Sequence, residues 1–151
     1  MSPNKWGPPT WVYIHTLAEK IKEEEFDKLG PQLIQTIINI CSILPCPECS
    51  KHATNFWRKV NLQTIGCKED LKKVLFVFHN TVNKRKNKPL FAYEKMDTYS
   101  SKRLTDVFIH FRQHFKTNGN MNLINESFHR QRLLLSVKYW MLQNNSAFNL
   151  L

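Results

Sequence analysis

At 151 residues, with 42% hydrophobic side chains that include ten Phe and four Trp, the chain has the length and composition of one packed domain, which excludes intrinsic disorder and any need for covalent staples. No apolar run approaches the ~20 residues that span a bilayer, and the N-terminus, MSPNKWGPP, lacks an apolar signal core, so a cytoplasmic protein without membrane span or secretory signal is expected. The net charge of +10 draws nucleic acid, acidic proteins or an anionic cofactor, and equally describes a solvated basic face, so charge alone names no partner.

Pro8 and Pro9, residues favoured at a helix start, precede Trp11, Ile14, Ala18 and Ile21 at helical spacing, which predicts a first helix. Gly30 and Pro31 read as a break, after which Leu33, Ile34, Ile37, Ile38, Cys41 and Leu44 form one broad stripe of a second helix that stops at Pro45. A third begins at Pro47, carries Cys49, His52, Ala53 and Phe56, and ends near Asn61. After a turn at Gly66, Leu71, Val74, Leu75, Phe78 and Val82 mark a fourth. Two further helical patterns follow residue 100: Leu104, Val107, Phe108, Phe111 and Phe115, then Phe128 through Leu133, Leu134, Val137, Tyr139, Trp140 and Leu142, with the polar NGN at 118–120 between them. No segment alternates as a strand does. The expected class is all-α: a four-helix bundle with an added C-terminal helical segment.

The stretch CSILPCPECSKH, residues 41–52, concentrates three of the four cysteines. Cys46 and Cys49 form a C-x-x-C at the N-terminus of a predicted helix, where unpaired N–H groups and the positive end of the helix dipole favour a thiolate. The spacing also permits a small reversible disulfide ring, so the pair can accept two electrons. A thioredoxin-like site needs a βαβ setting that the helical flanks deny, and a haem attachment needs His where Ser50 stands. Zinc remains an alternative, with Cys46 and Cys49 joined by His110 and His114, or by His52 and Cys41 or Cys67. The long separation of Cys49 from His110 and the absence of any need for a metal to fold argue against it, and no metal is expected.

Three predicted helices aim aromatic and hydrogen-bonding groups at the same interior: Trp11 and His15 on the first, Cys49, His52 and Phe56 on the third, His79, Asn83 and Lys86 on the fourth. Singly, each is plain core or a wet helix end. Together, beside a dithiol, they suggest a pocket for a flat aromatic cofactor with a charged tail.

In this order the sequence resembles the Erv/ALR family of FAD-dependent sulfhydryl oxidases. Trp6-Gly7-Pro8-Pro9-Thr10-Trp11-Val12-Tyr13-Ile14-His15 is similar to its G-x-x-x-W-x-x-x-H, Leu44-Pro45-Cys46-Pro47-Glu48-Cys49-Ser50-Lys51-His52 to its Y-P-C-x-x-C-x-x-H/D, and the run His79-Asn80-Thr81-Val82-Asn83 to Lys88-Pro89-Leu90-Phe91 to its H-N-x-V-N-x-x-x-x-K-P-x-F. The resemblance implies a four-helix bundle with a short fifth helix, a homodimer, and FAD bound by Gly7, Thr10, Trp11, His15, His52, His79, Asn80, Val82, Asn83, Lys88 and Phe91, with Tyr99 at the ring's edge. Lysines near the end of the fourth helix, Lys86 among them, suit the pyrophosphate. The implied catalytic residues are Cys46, which meets the substrate thiol, and Cys49, which passes electrons to the flavin and so to oxygen, giving hydrogen peroxide.

The implied partners are substrate protein dithiols, with a thioredoxin-like carrier among the candidates, and molecular oxygen. The family's second structural disulfide and its shuttle cysteines have no counterpart here, so packing must hold the fold and the active pair must meet its substrate directly. Cys41 reads as a buried small residue and Cys67 as a loop thiol, with a disulfide between them or a shuttle role as the alternative. The oxidase domain is expected over residues 1–99, and residues 100–151, with 7 basic against 2 acidic side chains, form a C-terminal extension packed on it. That extension shows no recognition helix, so no nucleic-acid partner is expected. Compact members of this kind resemble those of large DNA viruses, which places the protein in the host cytoplasm or the virion.

Overall fold

The computed structural model describes residues 3–116 and 124–149. Among these residues six α-helices carry the architecture: α1 (Pro3–Lys20), α2 (Phe26–Ser42), α3 (Pro47–Lys59), α4 (Lys68–Arg85), α5 (Leu104–Phe115) and α6 (Ile124–Gln143). A nine-residue 3-10 helix, Tyr93–Ser101, lies between α4 and α5. The polar 118–120 linker lies outside the described residues. Among the described residues no helix is long and apolar enough to cross a membrane.

Two helix starts differ from expectation. α1 begins at Pro3 and takes Pro8 and Pro9 into its body, where each forgoes one backbone bond, to the carbonyls of residues 4 and 5. α2 begins at Phe26 and runs through Gly30 and Pro31 without a break. The reason lies in Phe26, whose ring folds back over Gly30; a Cβ there would meet Phe26 Cε1 at 2.8 Å, so the glycine makes room for a packed helix start.

The core is built around α1. Tyr13, Ile14, Leu17, Ala18 and Ile21 are almost fully buried, and α1 packs against α4, the Tyr93–Ser101 segment and, most extensively, α5. Tyr13 stacks on Phe111 at 4.6 Å and 14°, Phe111 continues to Phe115 at 4.8 Å, and the Tyr13 hydroxyl donates to Met141 Sδ at 3.0 Å. Residues beyond 100 therefore share the core of the bundle. α2 packs on α3, α4 and α6.

α6 splits its expected stripe between two faces: Leu134 and Val137 are buried, whereas Phe128, Leu135, Tyr139 and Leu142 point outward. After it the chain returns to α1. Phe148 pairs with Ile21 as an antiparallel bridge, flanked by Lys22 N–H to the Ala147 carbonyl at 2.8 Å and Asn149 N–H to the Lys20 carbonyl at 2.7 Å.

Candidate functional site

Cys46 is the N-cap of α3, in extended conformation, with Pro47 at the first helical position. Its sulfur accepts the Cys49 N–H at 3.2 Å, and the two cysteines are joined as a disulfide with Cα atoms 5.2 Å apart. Cys46 is half-buried, whereas Cys49 is 9% exposed and faces inward. The pair thus has an outer sulfur open to another molecule and an inner one turned to the protein.

What Cys49 faces is a cavity of about 390 Å³, bounded by α1, the start of α3 and the end of α4. Of the expected site residues, Gly7, Thr10, Trp11, Cys49, His79, Val82, Asn83, Lys86, Lys88 and Tyr99 line it. Trp11 and His79 stack almost in parallel, 4.0 Å apart with 7° between the planes. Arg85, Lys86 and Lys88 form a cationic rim, and no carboxylate of the described residues lines the cavity. Burial, then Lys88 and Arg85 as neighbours, lower the pKa of Lys86, with Glu48 opposing the shift.

The rim is shaped by the end of α4. Asn87 takes a left-handed φ of 56°, and Lys88 N–H turns back to the Asn83 carbonyl at 2.8 Å. The following segment is clamped by Asn80, whose Oδ1 accepts from Phe91 N–H at 2.7 Å and whose Nδ2 donates to the Phe91 carbonyl at 3.0 Å. Asn80→Ala removes both bonds and strands two half-buried backbone groups, so a loss of about 1–3 kcal/mol is expected in urea unfolding. Asn80→Asp keeps the acceptor alone and should fall between.

His15, Asn80 and Phe91 stand behind the wall. His15 is 1% exposed, shares one proton with His79 (Nε2 to Nδ1, 3.0 Å), and stacks on Tyr99 at 4.7 Å, while Phe91 lies 4.9 Å from the His79 ring. His52 is elsewhere: it does not line the cavity, and its exposed side chain lies 3.6 Å from Glu48.

Burial, reinforced by His79, brings His15 from 6.5 down to about 3, and burial, then Lys88, brings His79 down to about 4. Both are neutral in the folded chain and would charge only on unfolding. The folded state binds fewer protons, so this contribution to stability is whole above pH ~6.5 and is lost as pH falls towards 4. The thermal midpoint should be flat above pH ~6.5 and decline below it, and His79→Gln should flatten that decline.

Sequence reasoning missed several wall residues: Trp6, Cys41, Leu44, Ala53 and Arg85. Ala53 was legible, one turn from Cys49 on the same face. Cys41 and Leu44 looked like plain core, and nothing in the α1 pattern distinguished Trp6. Cys41 is free and buried, its thiol pushed up to about 12 by desolvation, and Cys67 is a free, half-buried thiol. Among the described residues no group of three or more His, Cys, Asp or Glu side chains assembles to hold a metal.

Fold and site define an all-α protein in which a disulfide at a helix tip opens onto an aromatic, cation-rimmed cavity. Comparison with known proteins gives this class a family. The model of the Erv1 / Alr family matches residues 8–102. The chain is 36% identical over 90 residues to the FAD-linked sulfhydryl oxidase of African swine fever virus (isolate Pig/Kenya/KEN-50/1950), covering 60% of this chain and 75% of that protein. It is 33% identical over 95 residues to a putative FAD-linked sulfhydryl oxidase, 096R, of Invertebrate iridescent virus 3, covering 61% and 63%. To the FAD-linked sulfhydryl oxidase ERV1 of Arabidopsis thaliana it is 30% identical over 91 residues, covering 60% and 47%. No solved structure gave a significant match. The chain belongs to the Erv1 / Alr family.

Proposed function

We propose that the chain is an FAD-linked sulfhydryl oxidase that makes disulfide bonds in substrate proteins. One observation carries this reading: the inner sulfur of the Cys46–Cys49 disulfide lines the wall of the cavity that Trp11 and His79 bound.

The residues present fit the cofactor. The cavity has room for a flat tricyclic ring, the Trp6 indole N–H in its wall is buried without a partner, and Arg85, Lys86 and Lys88 offer cations to a diphosphate. Gly7, Thr10, Trp11, His79, Val82, Asn83, Lys86, Lys88 and Tyr99 would hold FAD directly. His15, Asn80 and Phe91 would fix that wall from behind, and His52, three residues from Cys49, would act from outside the cavity. When bound, FAD accepts two electrons from a dithiol and delivers them to oxygen, giving hydrogen peroxide.

The chain's own part is thiol exchange. A substrate thiolate attacks Cys46 Sγ, the S–S bond breaks, and Cys49 leaves as a thiolate. A second substrate thiol then displaces Cys46, which leaves the substrate oxidised and the enzyme pair reduced. The α3 N-terminus stabilises the thiolate at each stage, and Cys46 Sγ already accepts the Cys49 N–H. Cys49, sheltered at the cavity wall, holds the electron pair away from bulk water.

The reading extends to a folded unit over residues 1–99 with 100–151 as an extension completing its core, to a homodimer, to protein dithiols or a thioredoxin-like carrier as substrates, and to the cytoplasm of an infected cell. The purified protein should be yellow and should form peroxide from dithiothreitol. A protein that stays colourless after reconstitution with FAD would refute the proposal.

A further inference from the structure

α2 ends at Ser42, and Ile43, Leu44 and Pro45 carry the chain to Cys46. The last carbonyls of a helix lack internal partners and sit at the negative end of the dipole, where a cation is favourable. The last turn of α2 holds no basic residue. The cation comes from α6, 87 residues further along: Arg130, 3% exposed, donates from Nη1 to the Ile43 carbonyl at 3.4 Å. Burial lowers the Arg130 pKa, and Glu126, one turn back on α6, opposes that shift.

The same short segment is held from its other side. Leu44 N–H donates to Ser50 Oγ at 2.8 Å, and Ser50 directly follows Cys49. Leu44 itself forms part of the cavity wall. Buried ion pairs replaced as a whole by well-packed apolar residues are often no less stable, so a buried guanidinium is weak evidence of a purely stabilising role. Its place, three residues before the outer cysteine, points to another.

We propose that Arg130 is a positioning residue for thiol oxidation: with Ser50 it fixes Ile43–Pro45 so that Cys46 stays open to substrate and Cys49 stays at the cavity wall. It lies beyond residues 8–102, so the family match does not reach it. The inference rests on reading Cys46–Cys49 as the redox pair. Lysine at the same place keeps the charge but not the planar fork that a guanidinium offers.

The test uses the full-length flavin-loaded protein. After reduction, alkylation of each cysteine is timed by mass spectrometry alongside thermal midpoint and turnover with dithiothreitol. In the unchanged protein Cys46 should react faster than Cys49. Arg130→Met should narrow that ratio by at least about threefold through exposure of Cys49, and lower kcat about tenfold or more through misplacement of the sulfurs. Arg130→Lys should fall between. A folded Arg130→Met protein with an unchanged ratio overturns the proposal. Should Arg130→Met fail to fold, Arg130→Lys and Ser50→Ala decide, and an unchanged ratio in both is equally fatal. The ratio is read without peroxide formation, so absence of oxidase activity, which would sink the functional reading, is a separate result.

Discussion

Cys49→Ser should lower peroxide formation from dithiols by at least about 10³-fold while leaving the protein yellow. A hydroxyl in place of Sγ cannot close a disulfide with Cys46, so no electron pair can be stored at the cavity wall. Catalytic groups that act as one unit lose nearly all of their effect when any member is removed. The cavity is otherwise untouched, because Trp11, His79, Lys86 and Lys88 owe their positions to α1 and α4. With no Cys46–Cys49 bond to attack, exchange with reduced dithiols cannot begin; Cys46, left as a free thiol, should instead attack the disulfide of an already oxidised substrate, expel one substrate thiolate and form a mixed disulfide there. Flavin absorbance, peroxide yield and capture of a mixed disulfide on Cys46 measure the three parts separately. Turnover above about a hundredth of the original would show that another thiol serves, and the buried Cys41, which lines the same cavity, would be the first to examine.

The largest effect on stability is expected at Phe111, not at the site. Phe111 is fully buried, stacks on Tyr13 and continues to Phe115. Phe111→Ala removes most of a ring from the seam between α1 and α5 and leaves a hole that flanking aromatics cannot fill without leaving their own contacts. A loss of about 3–5 kcal/mol follows from such truncations, equivalent to a fall in thermal midpoint of roughly 6–20 °C at this chain length. Phe111→Leu keeps much of the volume and should lose far less. If α5 were merely an appendage on a self-sufficient bundle, Phe111→Ala would leave the unfolding of the site unaffected; midpoints followed by flavin release and by helical signal should instead fall together.

The bundle and the reactive pair were legible in the sequence because both rest on local rules. Helical spacing marks the apolar faces of α2 to α5, and Cys46-Pro47-Glu48-Cys49 writes an N-cap, a proline at the first helical position and a dithiol into four residues. The helix starts were less legible: prolines and a glycine normally punctuate, and only the Phe26 ring over Gly30 shows why the chain continues. Asn80 and Phe91 were visible as a motif, but their double hydrogen bond, eleven residues apart, depends on a turn that no periodicity announces. α6 gave the weakest signal. A helix apolar on two opposite faces does not say which is buried, and the pairing of Arg130 with Ile43 spans most of the chain.

Asn87 supplies the torsion that folds the end of α4 back on itself and sets Lys86 and Lys88 around one opening. Most side chains resist that backbone region, and asparagine and glycine tolerate it. The neighbouring lysines bring the charge, and the uncharged residue between them brings the turn that aims it. The electrostatic grip of the opening is governed by a position that carries no charge at all.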